Sequence, residues 1–302
     1  LCYQIPAIIS SKKTVVISPL ISLMDDQVSA LKECGIQAAK IHSDMTYDER
    51  SSSWNNFKNG KEKIIYLSPE KIMSEDFLNQ LKNLDVGLFV IDEIHCVSKW
   101  GHNFRPDYNQ LSQLKSLFPN SNLIGFTATA DQTTRLDILD KIFNENVNVF
   151  ISSLDRPNLS LSITQKTNWK SQLLEYLRDR KSQSGIIYCL SKKKTEEVTS
   201  LLNDKGFNAS TYHAGLDGQV RKNVQDTFMT EQAHIVVATI AFGMGIDKPD
   251  IRFVIHLNLP GSVEAYTQEI GRAGRDGNAS DTLLIYGLDD LVIRRRMIEE
   301  NS

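Results

Sequence analysis

The residues best suited to chemistry are two adjacent carboxylates, Asp92 and Glu93. They end residues 86–93, an apolar run typical of a buried parallel strand, and α/β folds bind ligands at the carboxyl edge of such strands. At a strand end Asp92 could hold Mg²⁺, usually through water, and Glu93 could position and deprotonate an attacking water. An isolated Asp-Glu pair is more often an exposed acidic turn, so the interpretation depends on what accompanies it.

Hydroxyl groups and glycines end several other predicted strands. They are Ser18, Ser68, Thr127 with Thr129, and residues 239–245. Gathered on the carboxyl edges of parallel sheets, such hydroxyls and backbone amides can hold the phosphates of a nucleotide or of a nucleic-acid backbone. These neighbouring hydroxyls and glycines favour a phosphate-binding site around the two carboxylates.

A second candidate lies in residues 268–277, Gln-Glu-Ile-Gly-Arg-Ala-Gly-Arg-Asp-Gly. Arg272 and Arg275 are three residues apart, and in a predicted helix over 263–272 and its continuation they share one face. Two convergent guanidinium groups suit a triphosphate whose charge is redistributed during cleavage. Taken alone, the pattern is most often a solvated basic stripe. Glycine inside a helix costs about 1 kcal/mol relative to alanine, so the presence of Gly271 and Gly274 in a predicted helix needs a structural or functional explanation.

The loop after the carboxylates is rich in aromatic and cationic residues. It carries His95, Trp100, His102, Phe104 and Arg105. Bases could stack on Trp100 or Phe104 for ~1–3 kcal/mol each, without regard to nucleotide sequence. Alternatively, the Trp100 and Phe104 rings pack against their own domain and hold the loop in place. His95 and His102 have no further ligands at metal spacing, so a zinc site is not expected here.

The elements that must position these residues alternate between strand and helix over two halves. We therefore expect an α/β protein with two domains, 1–154 and 155–302, each built on a mostly parallel sheet flanked by helices. Residues 155–158, Asp-Arg-Pro-Asn, are the best linker candidate. The predicted elements near the candidate residues include helices over 69–84, 107–118 and 131–143 and strands over 122–129 and 147–152.

Composition narrows the class of protein. The chain of 302 residues is 41% hydrophobic and 24% charged, as expected for a globular protein, and no apolar run approaches the ~18 residues of a membrane span. Its net charge of -3 offers no general attraction to nucleic acid, so any such binding must be local. The four cysteines form no CxxC pair, which argues against a disulfide framework and favours a reducing, intracellular compartment.

Seven segments together resemble the RecQ family of superfamily 2 DNA helicases. They are residues 16–27, 92–95, 127–130, 187–191, 212–215, 241–249 and 268–277. The Asp-Glu-Ile-His sequence alone would leave RNA helicases and nucleases open. The loop Trp-Gly-His-Asn-Phe-Arg-Pro over 100–106 is the segment that most resembles RecQ.

The resemblance implies two RecA-like domains that hydrolyse ATP between them. Single-stranded DNA would lie across both during 3′ to 5′ translocation, with branched or duplex DNA as substrate in recombination and repair. Asp92 resembles the Mg²⁺ residue and Glu93 the catalytic acid/base. His95 would couple the nucleotide state to the aromatic loop, and Thr127 and Thr129 would link hydrolysis to domain motion.

The resemblance also implies roles on the nucleotide and DNA sides. Gly245 and Asp247 would bind the nucleotide, with Asp247 near the ribose, while Gln268, Arg272 and Arg275 would face the triphosphate, Arg275 as the arginine finger. The positions that match DNA-binding or coupling residues are Ser18, Ser68, His95, Trp100, His102, Phe104, Arg105, Thr127, Thr129 and Ser191.

The sequence departs from the family pattern at four positions. Lys99 and Asn103 stand where the family usually has Gln and Asp, and Gly125-Phe126 is atypical before Thr127. The phosphate-binding loop and the adenine-reading segment would precede Leu1, and zinc-binding and winged-helix regions would follow residue 302. We therefore expect a fragment whose 302 residues alone do not hydrolyse ATP.

The alternatives are a DNA-binding fragment that is catalytically incomplete and an RNA helicase of the same superfamily. We expect the parent protein in the cytoplasm with the nucleoid if bacterial, and in the nucleus if eukaryotic.

Overall fold

The computed structural model describes residues 1–98, 105–143, 147–152, 155–243 and 246–300. Trp100, His102, Phe104 and Gly245, all named above as candidates, lie outside these residues. The chain divides into two compact units, Leu1–Phe150 and Ile151–Ser302, and each is an α/β unit with one sheet.

Unit 1 contains a five-stranded parallel sheet in the order β2-β3-β1-β4-β5. Its strands are β1 (Lys13–Ile17), β2 (Ala38–Ile41), β3 (Ile64–Leu67), β4 (Val86–Ile91) and β5 (Asn122–Gly125). Its α-helices are α1 (Gln4–Ile9), α2 (Ile21–Glu33), α3 (Tyr47–Lys58), α4 (Pro69–Ile72), α5 (Glu75–Leu81), α6 (Leu114–Leu117) and α7 (Gln132–Ile138). Short 3₁₀ helices cover Ile94–Val97 and Pro106–Gln113, and a π-helix covers Leu139–Phe143.

Unit 2 contains a six-stranded parallel sheet in the order β6-β11-β10-β7-β9-β8. Its strands are β6 (Leu159–Gln165), β7 (Ser184–Tyr188), β8 (Asn208–Tyr212), β9 (His234–Ala238), β10 (Ile251–His256) and β11 (Ser280–Tyr286). Its helices are α8 (Trp169–Leu177), α9 (Lys192–Asp204), α10 (Gly218–Thr230), α11 (Val263–Ile270) and α12 (Leu288–Glu300).

The sheet of unit 1 is buried on both faces, which explains its nearly continuous apolar strands. Along β1, Val15 and Ile17 pack into one core cluster, while Val16 packs into a second cluster on the opposite face. β4 alternates in the same way, with Phe89 in the first cluster and Val90 in the second. The carboxylates that follow β4 are therefore carried by a strand held on both sides.

Local signals place several helix ends. Thr46 and Glu49 form a capping box at the start of α3, and Ser68 caps α4 with Pro69 in its first turn. Gly35 and Gly60 follow α2 and α3 in the left-handed region, with φ of 78° and 80°, where glycine carries no Cβ penalty.

The structure corrects four expected elements. No strand is formed within 147–152, which is fully described, and Phe150 is 93% exposed. The helix expected over 69–84 is broken between α4 and α5, and most of 107–118 is a 3₁₀ helix. β5 ends at Gly125; the Phe126 amide still donates to Ile91 O, and the Phe126 carbonyl accepts from the Ile94 amide, both at 2.9 Å.

The structure also corrects the expected helical face of the two arginines. Helix α11 ends at Ile270, and residues 271–276 form turns. Arg272 and Arg275 therefore do not lie on one helical face. Gly274 has φ of 58°, so this glycine is explained by a left-handed turn and not by a cost accepted inside a helix.

Candidate active-site edges of the two units

The carboxyl edge of unit 1 brings three predicted residues into one row. In the strand register Ile17 pairs with both Leu67 and Ile91, so the next residues, Ser68, Ser18 and Asp92, follow one another across β3, β1 and β4. The Asp92 amide donates to Ile17 O at 2.9 Å and continues the ladder by one residue. Strand pairing alone therefore places these side chains together.

Asp92 is a carboxylate in a largely desolvated position. Burial raises its pKa above the ordinary carboxyl range, and the hydrogen bond that Oδ1 accepts from the Glu93 amide at 3.0 Å opposes this effect. Beside it, the hydroxyl of Ser18 is 1% exposed and has no hydrogen-bond partner among the described residues. Because it lies at the strand end next to Asp92, this unused hydroxyl is placed to contact a further ligand at the edge.

Glu93 turns the chain sharply after the strand. Its φ of 47° and ψ of 45° lie in the left-handed region, which few residues other than glycine adopt and which is concentrated at functional sites. Its carboxylate Oε2 is buried and lies 3.3 Å from His95 Nδ1, while the Glu93 side chain as a whole is 21% exposed. The turn thus keeps one carboxylate at the edge while the chain continues into the 3₁₀ helix.

His95 connects the ends of β4 and β5. Its imidazole is 1% exposed, and Nδ1 lies 2.9 Å from Thr127 Oγ1. The Thr127 hydroxyl donates to Thr129 O and accepts from the Thr129 amide, both at 3.2 Å. Which of the two groups donates in the His95–Thr127 bond is set by the histidine tautomer. The structure therefore brings Glu93, His95, Thr127 and Thr129 into one network.

The two ends of the aromatic loop are joined at its base. The Arg105 amide donates to Cys96 O at 2.8 Å, so the chain leaves and returns at the same point. Tyr108, fully buried, donates its hydroxyl to Asp92 O at 3.0 Å. Burial also raises the pKa of Cys96 to about 12, which keeps this thiol protonated. The base of the loop is therefore bonded directly to the carboxylate edge.

Gly125 has a packing reason that the sequence did not reveal. A Cβ at this position would lie 2.3 Å from Ile94 Cδ1, which belongs to the first residue of the 3₁₀ helix after Glu93. Glycine at this position lets the helix that carries His95 approach the end of β5.

On unit 2, Arg272 is buried rather than solvated. It is 6% exposed, its Nη1 donates to Gly243 O, and a Cβ on Gly243 would lie 2.6 Å from its Nη2. Burial raises the pKa of Tyr188 to about 12, and the neighbouring Arg272 partly opposes that rise. The Arg272 Nε has no hydrogen-bond partner within the part of the chain that is described. This guanidinium is fixed by the loop after β9.

Arg275 is the more accessible of the two arginines. Its Nη1 donates to Ile246 O at 2.8 Å and forms an ion pair with Asp247 at 2.5 Å. The side chains of Arg275 and Asp247 are 34% and 77% exposed. The structure therefore brings together Asp247 and Arg275, two residues that the sequence places 28 positions apart.

Gln268 and Ser191 lie at other positions of the same unit. Gln268 is half-buried on α11, next to Glu269, whose carboxylate pairs with His256 Nε2 at 2.6 Å. Ser191 caps α9 by accepting from the Lys194 amide at 3.2 Å. Among the described contacts, Ser191 therefore acts as a helix cap, and Gln268 lies on α11 beside the Glu269–His256 pair.

Two family models match the chain. The model described as DEAD/DEAH box helicase matches residues 1–137, and the model described as helicase conserved C-terminal domain matches residues 168–277. The chain is 46% identical over 286 residues to the ATP-dependent DNA helicase RecQ of Pasteurella multocida, which covers 95% of this chain. It is 40% identical to the RecQ of Bacillus subtilis over 100% of the chain. The chain belongs to the RecQ helicases. It spans 45% and 51% of these two relatives.

Solved structures of other helicases share the RecA-like fold of both units of this RecQ chain. Mss116p bound to ssRNA and AMP-PNP aligns with a TM-score of 0.72 at 18% identity, over 98% of this chain and 64% of that chain. A DEAD box protein from Methanococcus jannaschii aligns with a TM-score of 0.56 at 23% identity, over 97% of this chain and 78% of that chain.

Sequence reasoning missed two residues of the RecQ edges, Tyr108 and Tyr188. Each is a tyrosine with a buried ring whose hydroxyl donates to a backbone carbonyl, Asp92 O and Phe242 O respectively, at 3.0 Å. Tyr188 could have been suspected because it ends an apolar strand beside the Ser191 segment. The sequence around Tyr108 did not indicate its contact, because the partner, Asp92, lies 16 residues away in a different element.

Proposed function

We propose that the protein carrying this chain is an ATP-dependent DNA helicase that translocates 3′ to 5′ on single-stranded DNA and acts in recombination and repair. The observation that carries the proposal is the network of Asp92, Glu93, His95 and Thr127 at one sheet edge. It joins a pair of carboxylates suited to phosphate chemistry to a buried histidine that reaches the base of the aromatic loop. Relatives named ATP-dependent DNA helicase support DNA as the substrate.

Asp92 is the proposed Mg²⁺ residue, usually acting through water. A divalent cation suits the position, because burial disfavours the isolated carboxylate and Ser18 leaves an unused hydroxyl at the neighbouring strand end. When bound with ATP, the ion would neutralise phosphate charge during hydrolysis. Glu93, whose side chain is partly exposed, is the proposed acid/base that positions the attacking water.

Polar residues of unit 2 are the proposed nucleotide contacts. Arg275 is the proposed arginine finger and Asp247 the ribose contact, and their ion pair would be exchanged for contacts with the nucleotide. Arg272 and Gln268 are proposed at the triphosphate, although Arg272 is now bonded to Gly243 O. Gly245 remains a proposed nucleotide contact.

DNA-binding or coupling roles are proposed for residues at strand and helix ends, where hydroxyls and backbone amides lie, although the Ser18 and Thr129 side chains are themselves buried. These residues are Ser18, Ser68, Arg105, Thr127, Thr129 and Ser191, together with Trp100, His102 and Phe104. Such contacts are to the phosphate backbone or by stacking, so they tolerate any sequence, as a translocating enzyme requires. The proposed compartment is the nucleoid or, in a eukaryote, the nucleus. No helix in the described part of the chain is both long and apolar enough to cross a membrane.

The test uses the full-length protein with Mg²⁺ and ATP. We expect single-stranded DNA to stimulate ATP hydrolysis and a duplex with a 3′ tail to be unwound, whereas Glu93→Gln abolishes turnover but retains DNA binding. A duplex with a 5′ tail is the control for polarity. Stimulation by RNA and not by DNA would overturn the DNA assignment, and full turnover by Glu93→Gln would overturn the mechanism.

A further inference from the structure

Residues 155–158, expected to be a linker, are bonded to the turn that carries Arg272 and Arg275. The guanidinium of Arg156 donates to three carbonyls of that turn: Gly271 O at 3.4 Å, Ala273 O at 3.0 Å and Gly274 O at 2.8 Å. These bonds join residues that are 115 to 118 positions apart in sequence. One side chain therefore fixes the carbonyls on both sides of Arg272.

Asn158 fixes the same turn from a second position. Its Nδ2 donates to Gly274 O and to Asn278 O, both at 2.9 Å. Its Oδ1 accepts from Arg156 Nε at 3.3 Å, so the Arg156 and Asn158 side chains also bond to each other. A Cβ at Gly274 would lie 2.5 Å from Asn158 Nδ2, so the absence of a side chain at Gly274 allows the amide to approach.

The turn is thus divided between two sets of partners. Its carbonyls bind Arg156 and Asn158, whereas its arginine side chains bind elsewhere: Arg272 reaches Gly243 O, and Arg275 reaches Ile246 O and Asp247. A guanidinium presents its donors in a rigid planar fork, which holds several carbonyls in one geometry. Lysine has the same charge but lacks that fork.

We infer that Arg156 and Asn158 are positioning residues for the arginine finger, and that residues 155–158 set the rate of ATP hydrolysis rather than serving only as a connection. The inference rests on the proposed function, because it assigns Arg275 to the nucleotide. A catalytic group displaced by about 1 Å can cost on the order of 100-fold in rate. Arg156 and Asn158 touch neither nucleotide nor DNA in this assignment and act through the turn.

The experiment compares Arg156→Lys and Asn158→Ala with the unaltered full-length protein. We expect kcat for DNA-stimulated ATP hydrolysis to fall about 10- to 100-fold in Arg156→Lys, because positioning is lost. The Kd for single-stranded DNA without nucleotide should change by less than about 2-fold, since the proposed DNA contacts are elsewhere. Arg178→Lys is the matched control, because Arg178 is 71% exposed and lies in the same unit.

A double-mutant cycle separates positioning from general loss of structure. If Arg156 acts through Arg275, adding Arg156→Lys to Arg275→Ala should reduce kcat by less than about 2-fold further. Multiplicative losses, or a kcat unchanged in both Arg156→Lys and Asn158→Ala, would overturn the inference. An unaltered protein without DNA-stimulated hydrolysis would instead overturn the proposed function itself, so the two failures are distinguishable.

Discussion

His95 Nδ1 lies 2.9 Å from Thr127 Oγ1, and this contact links the carboxylate turn after β4 to the end of β5. Both residues follow neighbouring parallel strands, so sheet pairing brings together side chains 32 positions apart. One buried imidazole therefore contacts both the Glu93 carboxylate and the Thr127 hydroxyl.

Replacing Thr127 with valine tests that contact. Thr127→Val keeps the shape of the side chain but removes the hydroxyl that bonds His95 Nδ1, which should destabilise the fold by about 1–3 kcal/mol. We expect DNA-stimulated ATP hydrolysis to fall about 10-fold, by analogy with the loss of a positioned hydrogen bond. Thr14→Val is the control, because the Thr14 hydroxyl is buried without a partner in the described chain. Equal turnover in both variants would contradict the role of the contact.

Asp92→Asn should stabilise the protein while abolishing turnover. Burial raises the pKa of Asp92, so above that pKa the folded state holds a carboxylate that it disfavours relative to water. An amide keeps the acceptor for the Glu93 amide and removes the charge. We expect a gain of about 1 kcal/mol, or roughly 2–4 °C in Tm, in thermal unfolding without Mg²⁺. A lower Tm than that of the unaltered protein would show that the carboxylate is not destabilising.

The Mg²⁺ requirement should depend on pH. Because the pKa of Asp92 is raised, protons compete with the metal at higher pH than they would at an ordinary carboxyl group. The Mg²⁺ concentration for half-maximal ATP hydrolysis should therefore rise as pH falls from neutral toward the ordinary carboxyl range. Measurement at constant ionic strength with saturating DNA isolates this effect. A constant Mg²⁺ requirement over that range would argue against metal binding by Asp92.

Gly125→Ala should destabilise unit 1, and a smaller neighbour should restore it. The new Cβ would lie 2.3 Å from Ile94 Cδ1, and overpacking of this kind costs about 1–3 kcal/mol. Ile94→Val removes that Cδ1 atom and alone costs about 0.5–1.5 kcal/mol. In urea unfolding, the double variant should lose less free energy than the sum of the two single changes. Additive losses would show that the two side chains do not compete for this space.

Much of the unit architecture could be predicted from the sequence. The apolar run over 86–93 identified β4, and the strand ends predicted at Ser18, Ser68 and residues 239–245 follow β1, β3 and β9, because these signals are local. The sequence also identified Asp92 and Glu93 as a strand-end pair, since a buried strand ending in carboxylates is a pattern within ten residues. The resemblance to RecQ helicases was carried by ordered motifs and is confirmed by the comparisons with known proteins.

Other features depended on contacts between distant residues. No local signal shows that Arg156 donates to Gly271 O, that Tyr108 reaches Asp92 O, or that Arg272 is buried beside Gly243. The helix predicted over 263–272 and its continuation was misleading, because α11 ends at Ile270 and the chain then turns, with Gly274 in the left-handed region. Sequence alone determined which residues could carry the chemistry. Only the tertiary structure decided their partners, because hydrogen bonds between strand ends and loops depend on how the sheet brings remote segments together.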